Sequence, residues 1–251
     1  MSSLIVLSPH CDDAVFSIAT WMQHWCAQRV QVTVANFFTR STYAPRAVVP
    51  ADLAGQEQTA VSALRKREDL RSIKRISRGI DVRACDLQDA PLRLGVPVSA
   101  VSDPFRVSMQ QADVERSAAI INRLRQRTAV FIAPLGLGGH VDHLTIHRAA
   151  VLAVPSSLLA FYEDLPYATW TAEEAIVERL RAAECTVKSR MLPRVLRIPH
   201  HIRLKQRLAA GYETQIGRNE ARAIANYGSK YKSGERIWIP LHSRRWNALT
   251  K

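Results

Sequence analysis

Cysteine is scarce in this 251-residue chain: Cys11, Cys26, Cys85 and Cys185 stand far apart, with no C-x-x-C pair. That excludes a disulfide framework and a Cys-rich zinc site, and reads as free thiols of a reducing compartment. Long apolar runs are lacking too. None approaches the ~18 residues of a membrane-spanning helix, and the longest candidate, 149–162, is broken by Pro155. No basic stretch precedes the first apolar run at Leu4, so no secretory leader is expected and the expected location is the cytoplasm. Repeats and low-complexity tracts are absent, and an apolar content of 47% argues against disorder.

Acidic residues run short in one region only. Residues 1–178 carry 18 Lys/Arg and 18 Asp/Glu, whereas 179–251 carry 17 and 4, which accounts for the whole net charge of +13. The basic C-terminal region is either a solvated face or a surface for an anionic partner or substrate group. Trp238 and Trp246 among its basic residues could bind nucleic acid, but two Trp in an irregular tail more often pack against the body, and no nucleic acid is expected.

The chemistry-bearing residues lie in two clusters. Ser8-Pro9-His10-Cys11-Asp12-Asp13 follows the apolar run Leu4-Ile5-Val6-Leu7 and precedes an apolar stretch that reads as a helix. Two adjacent acids at a strand-to-helix turn are costly unless a positive group holds them, and a divalent metal is the simplest one. His10 and Asp13 are three apart and share one side of an opening helical turn, which leaves Asp12 free to act as a base. Far downstream, the apolar run 129–135 is followed by Gly136-Leu137-Gly138-Gly139-His140-Val141-Asp142-His143. In a parallel sheet both clusters fall on one edge. Two His and one carboxylate with open positions form a catalytic set for zinc or non-haem iron. His143 and His147 are four apart on the following helix, so an H-x-x-x-H pair is a rival, though without the adjoining Glu of the zincin pattern.

The rest of the pattern is α/β. A strand at 30–38, helices over 56–78, 113–127 and 142–154, and strands at 82–87 and 158–162 alternate, which predicts a Rossmann-like, mostly parallel sheet flanked by helices in a single domain, 1–251. Residues 39–53 read as a loop at the active rim, and 94–109 as a further loop. Thr171 and Glu174 form a capping-box pattern. A late strand is expected at 195–198 and a helix over 202–217, with Leu204, Leu208 and Tyr212 on one face. His200-His201 reads as surface, since adjacent side chains point apart.

Pro-His-x-Asp-Asp near the N-terminus, paired with His-x-Asp-His after a later strand, resembles the PIG-L/LmbE-like metal-dependent deacetylases. Further echoes are Lys66-Arg67-Glu68-Asp69, the 161–167 segment, and Lys205 with Tyr212. The resemblance implies a zinc-dependent hydrolase, with ferrous iron as the alternative, that removes the acetyl group from an N-acetylglucosamine-type sugar of a glycoconjugate or natural product. It implies His10, Asp13 and His143 as metal ligands and Asp12 as base. His140 would hold the oxyanion, with Asp142 on its other nitrogen favouring the protonated ring. Either Asp12 or His140 would protonate the departing amine.

The substrate is expected to be a small-molecule amino-sugar glycoconjugate, with an anionic aglycone suggested by the basic region. In the family an Arg and a Glu of the 56–78 helix lie near the site, which points to Arg67 and Glu68. Asp89 reads as a turn former or a substrate-hydroxyl contact, and Tyr162 and Glu163, with Asp164 and Tyr167 beyond, fall on the active edge. Cys11 replaces a common Pro. Gly138 stands where some members carry an oxyanion-helping Tyr, so either His140 works alone or another Tyr, such as Tyr162, fills in. The rival readings are an amidase on a non-sugar or thiol-conjugate amide, and a non-catalytic factor binding an anionic partner. A dinucleotide site is disfavoured, because the glycine run is incomplete and late. The oligomeric state is not legible.

Overall fold

The computed structural model describes residues 2–47, 55–125 and 129–251. The loop expected at 39–53 and the end of the helix expected over 113–127 fall partly outside them.

The chain opens with strand β1 (Ser3–Ser8), helix α1 (Asp13–Ala27) and strand β2 (Gln31–Asn36). All of β1 is buried, as a strand covered on both faces must be. Helix α2 (Glu57–Ile76), strand β3 (Asp81–Ala84), helix α3 (Ala90–Leu94) and helix α4 (Gln111–Leu124) follow. Then come strand β4 (Ala129–Pro134), helix α5 (Val141–Ala153), strand β5 (Leu159–Tyr162) and helix α6 (Glu173–Val187). The last part holds strand β6 (Met191–Arg197), helices α7 (His201–Ala209) and α8 (Arg218–Asn226), strand β7 (Gly234–Pro240) and helix α9 (Arg244–Leu249).

The sheet has seven strands in the order β3-β2-β1-β4-β5-β7-β6. The first five pair in parallel, and β7 is antiparallel to both β5 and β6. After β1 the chain builds to one side through β2 and β3, then returns to lay β4 on the other. The two clusters leave the C-terminal ends of β1 and β4, at that reversal, where an open α/β sheet presents its ligand crevice.

The basic third departs from its sequence reading in several places. The supposed tail contains β7, which sits inside the sheet, because its alternation ends on apolar Ile237 and Ile239, both 0% exposed. The 202–217 helix stops at Ala209. His201 is buried rather than on the surface, with Gly228 against its ring, while His200 is exposed. Trp238 and Trp246 do pack against the body, as expected: the Trp246 indole donates to Leu158 O (3.0 Å), and its ring lies 6.1 Å from Trp25. Just ahead of this third, the capping box at Thr171 does not form. The Thr171 hydroxyl donates to Tyr167 O (2.9 Å), and Ala172 occupies the cap position.

One buried ion pair ties the basic third to the first helix. Ile18 breaks the helical geometry of α1 (φ −136°, ψ 30°). The Thr20 and Trp21 N–H groups beyond the kink donate to Glu235 Oε2 of β7 (2.9 and 3.1 Å), whose Oε1 accepts Lys205 Nζ (2.5 Å). Both partners are almost wholly buried. Removing one member of such a pair strands a buried charge, at about 3–5 kcal/mol. Glu235→Ala is therefore expected to lower unfolding stability by about that amount, measured by urea denaturation.

Candidate active site

The first cluster is built by its own turn. The Ser8 hydroxyl donates to His10 O (2.7 Å) and accepts from Ala14 N (3.2 Å), while Asp13 Oδ2 accepts the His10 amide (2.8 Å). The turn folds back on itself, and His10 Nδ1 lies 3.2 Å from that same Asp13 oxygen. The second cluster opens α5, with His140 as its cap. There the His140 Nδ1 accepts the backbone N–H of Asp142 (3.1 Å).

The two meet across the β1–β4 pair. His143 Nε2 lies 3.4 Å from Asp13 Oδ2. Its Nδ1 donates to Asp164 Oδ1 (2.6 Å), and Asp164 Oδ2 is held by the amides of Gly136 and Leu137 (2.8 and 3.1 Å). Asp164 thus sets the tautomer of His143 and leaves Nε2 facing Asp13. That Nε2 is buried and has no protein hydrogen-bond partner among the described residues. One ligand atom each from His10, Asp13 and His143 lies within 4.8 Å of the others. An orphaned imidazole nitrogen beside a carboxylate and a second imidazole fits a divalent cation, with Asp164 as the supporting carboxylate that metal-binding His residues commonly have.

His10, His140 and Asp142 form a second grouping of similar compactness. It fits a cation less well, because the Asp142 oxygens are already taken. Oδ2 accepts His10 Nε2 (3.0 Å) and the Ala90 amide (2.9 Å), and Oδ1 accepts Arg93 Nη2 (2.8 Å). This corrects the expectation that Asp142 grips the second nitrogen of His140: its carboxylate grips His10 instead. His140 is also not held protonated. Burial, with His10 next, pushes its pKa down to about 3. Since Nδ1 accepts a hydrogen bond, the ring proton belongs on Nε2, which makes neutral His140 a donor.

The remaining charges follow from burial and pairing. Burial opposes a charge on Asp13, but His143 and His10 hold it well below the usual carboxylate range. Asp12 is shifted upward, by burial first and the neighbouring Asp13 next. Its Oδ2 accepts Arg65 Nη2 (3.3 Å), and Arg65 Nη1 donates to the Ser41 hydroxyl (3.1 Å). A pocket of about 310 Å³ opens over these groups, lined by His10, Asp12, Asp13, Arg65, His140 and Tyr167 among others.

Several expected contacts lie elsewhere. Arg67 is exposed on α2; the Arg at the pocket is Arg65, two residues earlier on the inward face. Glu68 is buried, but it binds Thr214. The Tyr162 hydroxyl donates to Leu7 O (3.0 Å) inside the sheet, so Tyr162 cannot replace the Tyr missing at Gly138. Glu163 faces away from the pocket, toward Arg236, Trp238, Tyr227 and Tyr231. Asp89 is a turn former, capping α3 through Leu92 N (3.3 Å), and it also lines the pocket. His147 is packed, donating to Pro134 O (2.9 Å) and stacked on Phe161.

Tyr167 occupies the space that Gly138 leaves. A Cβ at Gly138 would sit 2.3 Å from Tyr167 Cδ1, and the Tyr167 ring lies 5.2 Å from His143 and 6.2 Å from His140. The signal for Asp164 and Tyr167 is their place after β5. What sequence alone does not show is that these two turn inward while their neighbours Tyr162 and Glu163 do not.

The profile of the PIG-L family, described as GlcNAc-PI de-N-acetylase, matches residues 5–154. Among characterised proteins, the chain is 33% identical over 168 residues to the 2'-N-acetylparomamine deacetylase of Streptomyces fradiae. That match spans 65% of this chain and 57% of that protein. A deacetylase of the teicoplanin biosynthesis pathway, solved as a bog complex, has the same fold. Its TM-score is 0.66 at 19% identity, over 94% of this chain and 97% of that one. The zinc-inhibited form of teicoplanin deacetylase aligns similarly, with a TM-score of 0.63 at 18% identity and the same coverage.

Gly138 has φ +74°, so any side chain there is strained as well as blocked by Tyr167. Gly138→Ala is expected to cost about 1–3 kcal/mol of stability. The loss should shrink when Tyr167→Gly is added, which removes the Cδ1, Cγ and Cβ atoms in the way, because only the steric part is relieved. A double-mutant cycle of urea midpoints measures this, and strict additivity would contradict the contact.

Proposed function

Because the chain belongs to the PIG-L (GlcNAc-PI de-N-acetylase) family, we propose that it is a zinc-dependent N-deacetylase. Its substrate is an N-acetylglucosamine-type sugar of a small-molecule glycoconjugate or natural product. The observation that carries this reading is the buried His143 Nε2, unpartnered among the described residues, beside Asp13 and His10, which line the pocket. The matched relative, a 2'-N-acetylparomamine deacetylase by its name, supports the substrate class.

His10, Asp13 and His143 would hold the ion. Zinc bound there supplies Lewis acidity, bringing a water toward ionisation near neutral pH and polarising the acetyl carbonyl. Asp12 takes the proton from that water. Its upward-shifted pKa suits a base that must also release a proton, and Arg65 keeps it aimed. His140 offers its Nε2–H to the carbonyl oxygen as negative charge grows there. Tyr167, whose hydroxyl burial keeps protonated, stands against the same rings and supplies the second donor that a Tyr at position 138 would otherwise give. A neutral His140 is a poor acid, so Asp12 returns the proton to the departing amine.

Acetate release from a panel of N-acetylglucosamine glycosides, with and without chelator, tests the reading. Release should stop on chelation and return with zinc. Asp12→Asn should keep metal stoichiometry, measured by elemental analysis, while losing about 10²–10⁴-fold in kcat. His143→Ala should lose the metal itself. Full turnover in Asp12→Asn would remove the base assignment, and chelator-resistant release would remove the metal.

A further inference from the structure

The family match ends at residue 154, yet the pocket is not complete without the C-terminal third. Two of its residues line the cavity, Gln215 and Ile216, in the link between α7 and α8. Neither is charged, and among the described residues the only Lys or Arg in the lining is Arg65, already on Asp12. The basic excess of this region therefore does not reach the cavity, and the wall it contributes is polar and apolar rather than cationic.

That wall is fixed to the helix that carries Arg65. The Tyr212 hydroxyl donates to Asp69 Oδ1 (2.7 Å). Thr214 donates through its amide to Glu68 Oε1 (3.0 Å) and through its hydroxyl to Glu68 Oε2 (2.7 Å). The Arg46 amide donates to Thr214 O (3.1 Å). These bonds give the buried acids of α2 their purpose: they anchor the opposite side of the pocket.

Gln215 sits on this anchored wall at 8% exposure. Its Nε2 donates to the Thr214 hydroxyl oxygen (2.9 Å). Because the Thr214 proton is already committed to Glu68, that oxygen can only accept, so the amide cannot be turned round. The carbonyl end is thereby forced to point away from Thr214. Oε1 is buried and has no hydrogen-bond partner among the described residues. A buried amide oxygen left without a donor is costly, and native structures leave few of them. A lining residue with a locked, unsatisfied acceptor calls for a donor from the ligand.

We propose that Gln215 is a specificity-determining residue that accepts a hydrogen bond from a hydroxyl of the substrate sugar, with Ile216 as the apolar contact beside it. The proposal rests on the deacetylase reading. It names a neutral hydroxyl rather than an anionic group as the feature recognised by this wall, since Asp12, Asp13 and Asp89 already line the cavity.

The test is kcat/KM for acetate release by metal-loaded enzyme on a methyl glycoside of N-acetylglucosamine and its monodeoxy analogues. Wild type should lose about tenfold on one analogue, the value of one hydrogen bond. Gln215→Leu should lose a similar factor on the parent sugar and no longer distinguish that analogue, with its discrimination among the others unchanged. Metal content and melting temperature establish that the variant is folded. The assignment is overturned if wild type is indifferent to every deoxy position, a result that needs no variant to fold. It is also overturned if Gln215→Leu reproduces the wild-type pattern. Release from no sugar at all by metal-loaded wild type would overturn the deacetylase reading and this assignment with it.

Discussion

The active edge is organised by one electrostatic constraint: carboxylates buried at the ends of parallel strands must each find positive charge or N–H donors. Asp13, Asp142 and Asp164 are all almost wholly inaccessible, and an unpaired buried carboxylate is prohibitively costly. Asp142 is satisfied by protein alone, through Arg93, His10 and the Ala90 amide. Asp164 is satisfied by two backbone amides and His143. Asp13 has the amide and the ring of His10, and 3.4 Å from it stands His143 Nε2, which makes no hydrogen bond among the described residues. Pairing the first two carboxylates fixes both rings, so that the unfilled valence collects at one point. The second possible ligand grouping is thereby the support for the first.

The same logic extends outward. α2 contributes Arg65 to the pocket and Glu68 and Asp69 to the wall across from it, on neighbouring turns of one helix. β7 contributes Glu235 to the kink of α1, the helix whose first residue is Asp13. The C-terminal third thus bears on the site through neutral contacts and buried acids. None of its described Lys and Arg residues lines the cavity, and Arg236, for one, lies between Glu163 and Glu173.

Much of this is legible in the sequence. The family resemblance, the α/β class and the convergence of the two clusters follow from motifs after apolar runs, because strand order at a topological reversal leaves few other arrangements. The misreadings have a common physical source. Sequence points to Arg67 rather than Arg65 because a motif match names a neighbourhood, whereas a shift of two positions on a helix rotates a side chain about 200°. It groups Tyr162 and Glu163 with Asp164 and Tyr167 because alternation along a strand ends where the strand ends, and the turn that follows sets direction afresh. β7 reads as tail because a strand inserted antiparallel between β5 and β6 draws its burial from distant partners. Gln215 carries no signal at all in sequence: its amide is oriented by a proton count that runs from Glu68 through Thr214.

The state of His140 separates two accounts of the chemistry. A protonated imidazole could both hold an oxyanion and hand its proton to the leaving amine. That role needs a carboxylate on the ring, and the carboxylate expected there is bound to His10 instead. With a backbone amide on Nδ1, a proton added at Nδ1 would break the helix cap. A metal held by His10, whose ring stands 4.9 Å from that of His140, would be a like charge beside a protonated His140. Protonating His140 would thus cost a hydrogen bond and add a like charge. The neutral donor form costs neither, and it is the form that the proposed mechanism uses, in which Asp12 is proposed both to take and to return the proton. Its position suits both proposed roles, since it is partly open to the pocket, shifted upward by burial first and by its neighbour Asp13 next, and restrained among the described residues by its contact to Arg65.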